Sequence, residues 1–285
     1  MEKDIFLQKT SESGNAPGVF LHKEFKEMVD LFSQKDFLEA METNNENRLA
    51  EMKQQYLNEY PDQIEGVEAL FGLREFLMKD KKIAEEREKG EYKIERSRFR
   101  DLTEYQFLFT HFVIENSSNR EFLEKFWELG RVISEKIGAA KQFGNFRQGI
   151  LSQAAVYKIL EIIGENPKLS HPDQDAFNSV DLWVAEKTAV QVKASRAIEK
   201  PEVLESENVA FPAVKAKNKF QTRYYNAKYF HENARFRAKI RDYGQQIGEE
   251  IKGYILVIPY SKIDSASGQP SPELVEFFKN KLKVS

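Results

Sequence analysis

The chain of 285 residues contains no cysteine. That excludes a disulfide framework, a thiolate metal site and a cysteine nucleophile. It has no apolar run approaching the roughly 20 residues that a membrane-spanning helix requires. The opening residues, Met1-Glu-Lys-Asp-Ile-Phe-Leu-Gln-Lys-Thr10, lack the apolar core of a signal peptide. A cytoplasmic protein with no membrane partner is expected. No internal repeat is visible. A hydrophobic content of 41% beside 31% charged residues is ordinary for a globular chain, and the length allows a sizeable core and two domains.

The formal net charge is only −3. Spread evenly, it would argue against a polyanionic partner, but it is not even. Between Phe211 and Tyr243 stand Lys215, Lys217, Lys219, Arg223, Lys228, Arg235, Arg237, Lys239 and Arg241, opposed by Glu232 and Asp242 alone. Nine cations against two anions give this segment +7 and leave −10 for the remainder. Phe220, Tyr224, Tyr225, Tyr229, Phe230 and Phe236 lie among these cations. Cations bind phosphates and release counterions, and aromatic rings stack on unpaired bases. The plainer reading makes the rings core and the cations a solvated face. Nothing in the segment reads a base sequence.

Residues 1–18, which include Thr10-Ser-Glu-Ser-Gly-Asn-Ala-Pro-Gly18, are expected to be a flexible leader. Residues 19–144 read as a mainly helical domain: 22–42, a segment from Gln63 after the break at Pro61-Asp62, Leu102 to Ile114, and 120–137 behind a cap at Ser118 or Asn119. Gly144-Asn145 is the expected boundary. A helix follows over 148–163, then a polar loop over 166–178 in which Pro167 to His171 could supply part of a strand. A long helix or helix pair is expected over 219–251, a buried strand over 253–259 and a last helix over 272–282.

Between these lies Phe177-Asn-Ser-Val-Asp-Leu-Trp-Val-Ala-Glu-Lys-Thr-Ala-Val-Gln-Val-Lys-Ala-Ser195. Val180, Leu182 and Val184 alternate with Asp181, Trp183 and Ala185, the period of a strand. Gln191 and Lys193 alternate with Val190 and Val192, so each pair shares a face. If the two strands form a hairpin through Glu186-Lys187-Thr188, Asp181 comes near Gln191 and Lys193. An acid, an amide and an amine would then meet at one end of a sheet, a candidate Mg²⁺ and phosphate site.

The pattern Asp181, then Gln191-Val192-Lys193 after a turn, resembles the motif of the PD-(D/E)xK nuclease superfamily, the restriction-endonuclease-like enzymes. Asp181 matches the first acid and Lys193 the lysine; Gln191 stands where the second acid usually does. The resemblance spans about residues 147–260. It implies an α/β fold over 145–285, a restriction-endonuclease-like mixed sheet flanked by helices in the order α-β-β-β-α-β. It further implies metal-dependent endonuclease cleavage of DNA, with RNA as an alternative substrate, a Mg²⁺ or Mn²⁺ cofactor and a homodimer. Asp181, Gln191 and the Val192 carbonyl would hold the metal, and Lys193 would stabilise charge. Gln153 sits where the family places a further Glu on the first helix, and Glu161 lies two turns later.

His171, Asp173 and Asp175 form a polar cluster before the motif, with Asp175 the best placed to join it. Lys215, Lys217, Lys219, Arg223, Lys228, Arg235 and Arg237 are the expected nucleic-acid contacts. Two other readings stay open. The chain could be a non-catalytic nucleic-acid-binding or assembly protein on a degenerate nuclease fold, or a structural helical protein carrying the motif by chance. In the plain reading Asp181 is a solvent-facing residue at a strand start and Lys193 an edge lysine.

Overall fold

A computed structural model of the protein describes residues 35–43, 45–59, 61, 64–90, 96–185, 187–207 and 212–282. The expected leader, the first part of the helix expected over 22–42, and Glu186 and Phe211 lie outside the described residues. Among the described residues six helices come first: α1 (Lys35–Thr43), α2 (Glu46–Glu59), α3 (Ile64–Glu88), α4 (Arg96–Glu115), α5 (Arg120–Lys136) and α6 (Ala140–Ile162). In α5 the apolar residues recur every three or four positions, which buries Phe122, Leu123, Phe126, Trp127 and Ile133 on one side. Asn119 caps it, its side chain accepting the Phe122 N–H at 3.2 Å. Rings from three helices interlock, Phe109 edge-on to Phe146 at 4.9 Å and Phe112 against Phe126 at 4.9 Å.

The second half is a mixed sheet with helices on both faces. Its elements are β1 (Pro167–Leu169), α7 (Pro172–Asn178), β2 (Leu182–Val184), β3 (Thr188–Ser195), β4 (Glu202–Glu205), α8 (Lys219–Ile247), β5 (Lys252–Pro259), a single 3-10 turn (Tyr260–Lys262) and α9 (Pro272–Lys281). The strand order is β1-β2-β3-β5-β4. Only β3 and β5 run parallel, and Ser195 pairs with Pro259 at their carboxyl ends. Alternation sorts the strand residues between two cores. Leu182, Val184, Val190, Leu256 and Ile258 join the helices α1 to α6 and α9. Trp183, Ala189, Ile255 and Val257 pack under α8 against Tyr229, Phe236 and Ile240. Burial on both faces is why β5 reads as an apolar run, whereas β3 keeps Gln191 and Lys193 on the face toward α8.

Several expectations change. The polar loop over 166–178 is β1 followed by α7, with Pro172 at the first helical position and His171 as its cap. Val180 does not share a face with Leu182. Ser179 takes the left-handed conformation (φ 59) that closes α7, and this turn sends Val180 into the core under α8. β4 has no counterpart in the sequence reading. The helix or helix pair over 219–251 is one helix ended by Gly248 at φ 73. The boundary expected at 144/145 falls inside α6, and one apolar core runs from Phe37 through α6 to Leu256 and Phe278. Trp127 on α5 donates to the Ala266 carbonyl at 2.8 Å, a further tie between the halves. Among the described residues no helix is long and apolar enough to cross a membrane.

The seat of α8 on β5 depends on Gly253. A Cβ there would stand 2.2 Å from Ile240 Cδ1, 2.6 Å from Ser206 Oγ and 3.1 Å from the Phe236 ring. Gly253→Ala is therefore expected to lower stability by about 1–3 kcal/mol in urea denaturation. Gly144→Ala, with nothing within 4 Å of the added Cβ, should not be destabilising.

Candidate active site

β2 is three residues long, and its pairing with β3 ends at Leu182 and Val190. Beyond that point the edge of β3 is uncovered and needs other partners. Asp181 supplies one. Its backbone N–H donates to the Val190 carbonyl at 2.9 Å, and its own carbonyl accepts the Ser170 N–H at 3.0 Å. Its carboxylate then turns along β3. Oδ2 accepts the Val192 N–H at 2.6 Å, and Oδ1 accepts from Gln153 Nε2 at 2.8 Å. Two residues on, Gln148 Nε2 donates to the Ala194 carbonyl at 3.0 Å, so α6 lies along this edge. N–H and C=O of one strand residue point to the same side, which turns the Val192 carbonyl toward the same space.

Asp175 arrives from α7. Gln174 accepts from Trp183 Nε1 at 2.9 Å and donates to the Tyr243 hydroxyl at 3.0 Å, while Thr103 on α4 donates to the Pro172 carbonyl at 2.9 Å. These bonds fix α7 with Asp175 turned inward, beside Asp181. Burial pushes the Asp175 carboxyl up to about 8; the neighbouring Asp181 adds to this, and Lys193 and Lys239 oppose it. Burial also holds Asp181 above the ordinary carboxylate range, against the pull of the Val192 N–H, Lys193 and Gln153. The rest of the expected cluster faces outward: Asp173 pairs with Arg100 at 3.3 Å, and the exposed His171 accepts the Asp173 N–H.

The far wall is α8. Lys228, Glu232, Arg235 and Lys239 follow the i, i+4, i+7, i+11 spacing of one helix stripe. Lys239 Nζ donates to Ser179 Oγ at 2.6 Å, and burial depresses its affinity for its proton while Asp175 restores part of it. Lys193 Nζ lies 3.6 Å from Glu232 Oε2, a buried oxygen with no hydrogen-bond partner. Gln191 shares the Lys193 face, continues the register opposite Asp181 and is 9% exposed. Among the described residues its amide makes no side-chain hydrogen bond. Asp181, Gln191, Lys193 and Gln153 thus come together, with Asp175, Glu232 and Lys239 added.

Gln153 enters as a donor to Asp181, with its oxygen already accepting from the buried Thr110 hydroxyl at 2.9 Å. Glu161 stays out: it is paired with Lys158 and lies eight residues along α6, roughly 12 Å from Gln153. The expected cations divide. Lys228 and Arg235 share the stripe of the site. Arg223 and Arg237 fall on the opposite flank of α8, where Arg237 lines a cleft of about 410 Å³ with Ser206, Glu207 and Gly244. Lys215 and Lys217 lie beyond the end of β3, bridged to Glu199 and Ala197 by backbone bonds of 2.9 and 3.0 Å. Lys219 opens α8. Phe220 and Tyr224, 80% and 56% exposed, offer open rings nearby.

Among the described residues no group of three or more His, Cys, Asp or Glu side chains is gathered as metal ligands. The pocket nevertheless has a consistent donor type. Two carboxylates, the Gln191 amide oxygen and the Val192 carbonyl are all oxygen donors, the set a hard cation takes. Mg²⁺ keeps several waters and needs only one or two carboxylates. Chemically, paired buried acids with a lysine at their edge can hold a cation and an anionic oxygen side by side.

The acids carry a pH signature. An unfolded aspartate loses its proton near pH 4, whereas Asp175 keeps it to about 8, so folding takes up a proton between these values. Stability in EDTA should accordingly fall as pH rises from 5 to 8. Asp175→Asn should show a clearly smaller fall in melting temperature over that window. Comparison with models of known protein families, with curated proteins and with solved structures finds no match.

Proposed function

We propose that this chain is a metal-dependent endonuclease hydrolysing phosphodiester bonds in DNA on a restriction-endonuclease-like fold. The observation that carries this is the meeting of Asp181, Asp175, Gln191 and Lys193 at the uncovered edge of β3. The element order supports it: α6, β1, β2, β3, α8 and β5 follow the helix-strand-strand-strand-helix-strand sequence that the motif implies, with α7 and β4 inserted.

Asp181 and Asp175, with the Gln191 and Val192 oxygens, would hold Mg²⁺ or Mn²⁺. Once bound, the ion supplies a polarised phosphoryl oxygen and an acidified water. The remaining roles belong to the chain. Gln153 and the Val192 N–H fix the Asp181 carboxylate. Lys193 Nζ stands ready to donate to the oxygen that gains charge in the transition state, and Glu232 steadies that ammonium. Lys228 and Arg235 extend positive charge along α8 toward a phosphate backbone.

A second reading has its own observation. Gln153 and Gln191 are amides, and Glu232, the third acid of the site, is drawn to Lys193. That composition favours a nucleic-acid-binding protein that does not cut.

The deciding experiment incubates the protein with plasmid, linear duplex, single-stranded DNA and RNA in Mg²⁺, Mn²⁺ or EDTA. DNA cutting in either metal and none in EDTA is expected. Asp181→Asn and Lys193→Ala should each slow it by about 10²–10³-fold while both proteins still bind duplex. Unchanged cutting in both variants would overturn the site; binding without cutting on every substrate would establish the second reading.

A further inference from the structure

Near the carboxyl ends of β3 and β5 two arginines stand without a carboxylate partner among the described residues. The parallel register brings Ser195 beside Pro259, so Arg196 and Tyr260 emerge side by side. The Arg196 guanidinium lies 5.5 Å from the centre of the Tyr260 ring. Arg147, on α6, reaches the same place. Its guanidinium is 5.4 Å from the centre of the Trp127 ring, its Nη2 donates to the Ser265 carbonyl, and its Nε is buried with no acceptor. A guanidinium has five N–H donors. Among the described residues this one has a single hydrogen-bond acceptor.

The nearest acids are already committed. Asp264 accepts Arg120 at 3.0 Å and also takes the Ser267 N–H and hydroxyl. Glu128 is paired with Arg131. The Tyr260 hydroxyl, half-buried, feels both guanidiniums. The under-satisfied fork of Arg147 and the exposed fork of Arg196, facing a phenol, match the oxygens of a phosphate, which accept paired N–H donors. Further polar and basic groups border the place: Lys217 beside Ala197, and the Tyr225 hydroxyl 2.8 Å from Ser195 Oγ under Lys228.

We propose that Arg147 and Arg196, with Tyr260 between them, form a phosphate subsite that grips the DNA backbone beside the acid pocket. This rests on the nucleic-acid reading above and adds where the strand is held. Arg147 and Gln153 are six residues apart on α6, roughly 9 Å along its axis. Outside the carboxyl ends of parallel strands is also where α/β sheets place ligands.

The test is binding, measured apart from cutting. A fluorescein-labelled 30-base-pair duplex is titrated by anisotropy in EDTA, at several NaCl concentrations, against wild type, Arg147→Gln, Arg196→Gln and Arg237→Gln. The first two are expected to weaken binding about tenfold each. Each should also reduce the slope of log affinity against log salt by about 0.9. Arg237→Gln, the same charge removed from the far flank of α8, should stay within twofold. Arg147 is half-buried, so circular dichroism checks its fold, and the exposed Arg196 decides alone if that variant unfolds. Losses no greater than in Arg237→Gln, or no duplex binding at all, overturn the subsite. Failure of the nuclease reading looks different: no cutting in Mg²⁺ or Mn²⁺, with the arginine losses still present.

Discussion

The site depends on one bond, from the Val192 N–H to Asp181 Oδ2 at 2.6 Å. A strand partner that stops after three residues leaves a buried backbone donor on β3, and an unpaired donor there costs about 1–3 kcal/mol. A carboxylate relieves it but brings a buried charge, which is costlier still unless it too is bonded. Asp181 is therefore held from a second side by Gln153, and Gln153 in turn by Thr110 on α4. A hydrogen-bonded chain thus runs from the first half of the molecule to the strand edge. Thr103, also on α4, does the same for α7 through the Pro172 carbonyl. The helical half helps to hold both acids in place.

Legibility followed the range of the forces involved. The Asp181, Gln191 and Lys193 spacing could be read because a hairpin is local, and its register follows from strand alternation together with the length of the turn. The buried strand at β5 and the capped helix α5 were equally plain, since Asn119 and the apolar spacing act within a few residues. α7 was harder: seven residues show no periodicity, although Pro172 behind His171 is a start signal. β4 buries Leu204 alone among its four residues and gains its pairing only from β5. α6 runs unbroken through the expected boundary because Gly144 does not interrupt it. That glycine sits on the exposed side of α6, where a missing side chain costs about 1 kcal/mol and interrupts nothing.

The site members that escaped the sequence are the long-range ones. Glu232 counted only as a reduction in the charge of a basic segment, and Lys239 only as another cation. Their shared stripe with Lys228 and Arg235 was visible in the spacing. Which flank of α8 would meet β3 was not, because burial of Tyr229, Phe236 and Ile240 sets it. That rotation divides the cations, turning Lys228 and Arg235 toward the acids and Arg223 and Arg237 away. A helix with basic residues on several sides cannot announce which of them will share a cleft.

Gln191 makes sense in this charge arrangement. The pocket does not lack a second carboxylate; Asp175 brings one from α7, a different element from the one that carries the motif. Asp181 already adds to the cost of ionising Asp175, with Lys193 and Lys239 as the compensating charges. A glutamate at position 191, opposite Asp181, would place another buried carboxyl group beside the same two lysines, with Glu232 already drawing on Lys193. An amide keeps an oxygen donor at that point and adds no charge. The amide at position 191 and the inward turn of α7 thus answer one electrostatic constraint: the pocket gains oxygen donors on β3 and a second carboxyl group from Asp175 without a further buried charge beside Asp181.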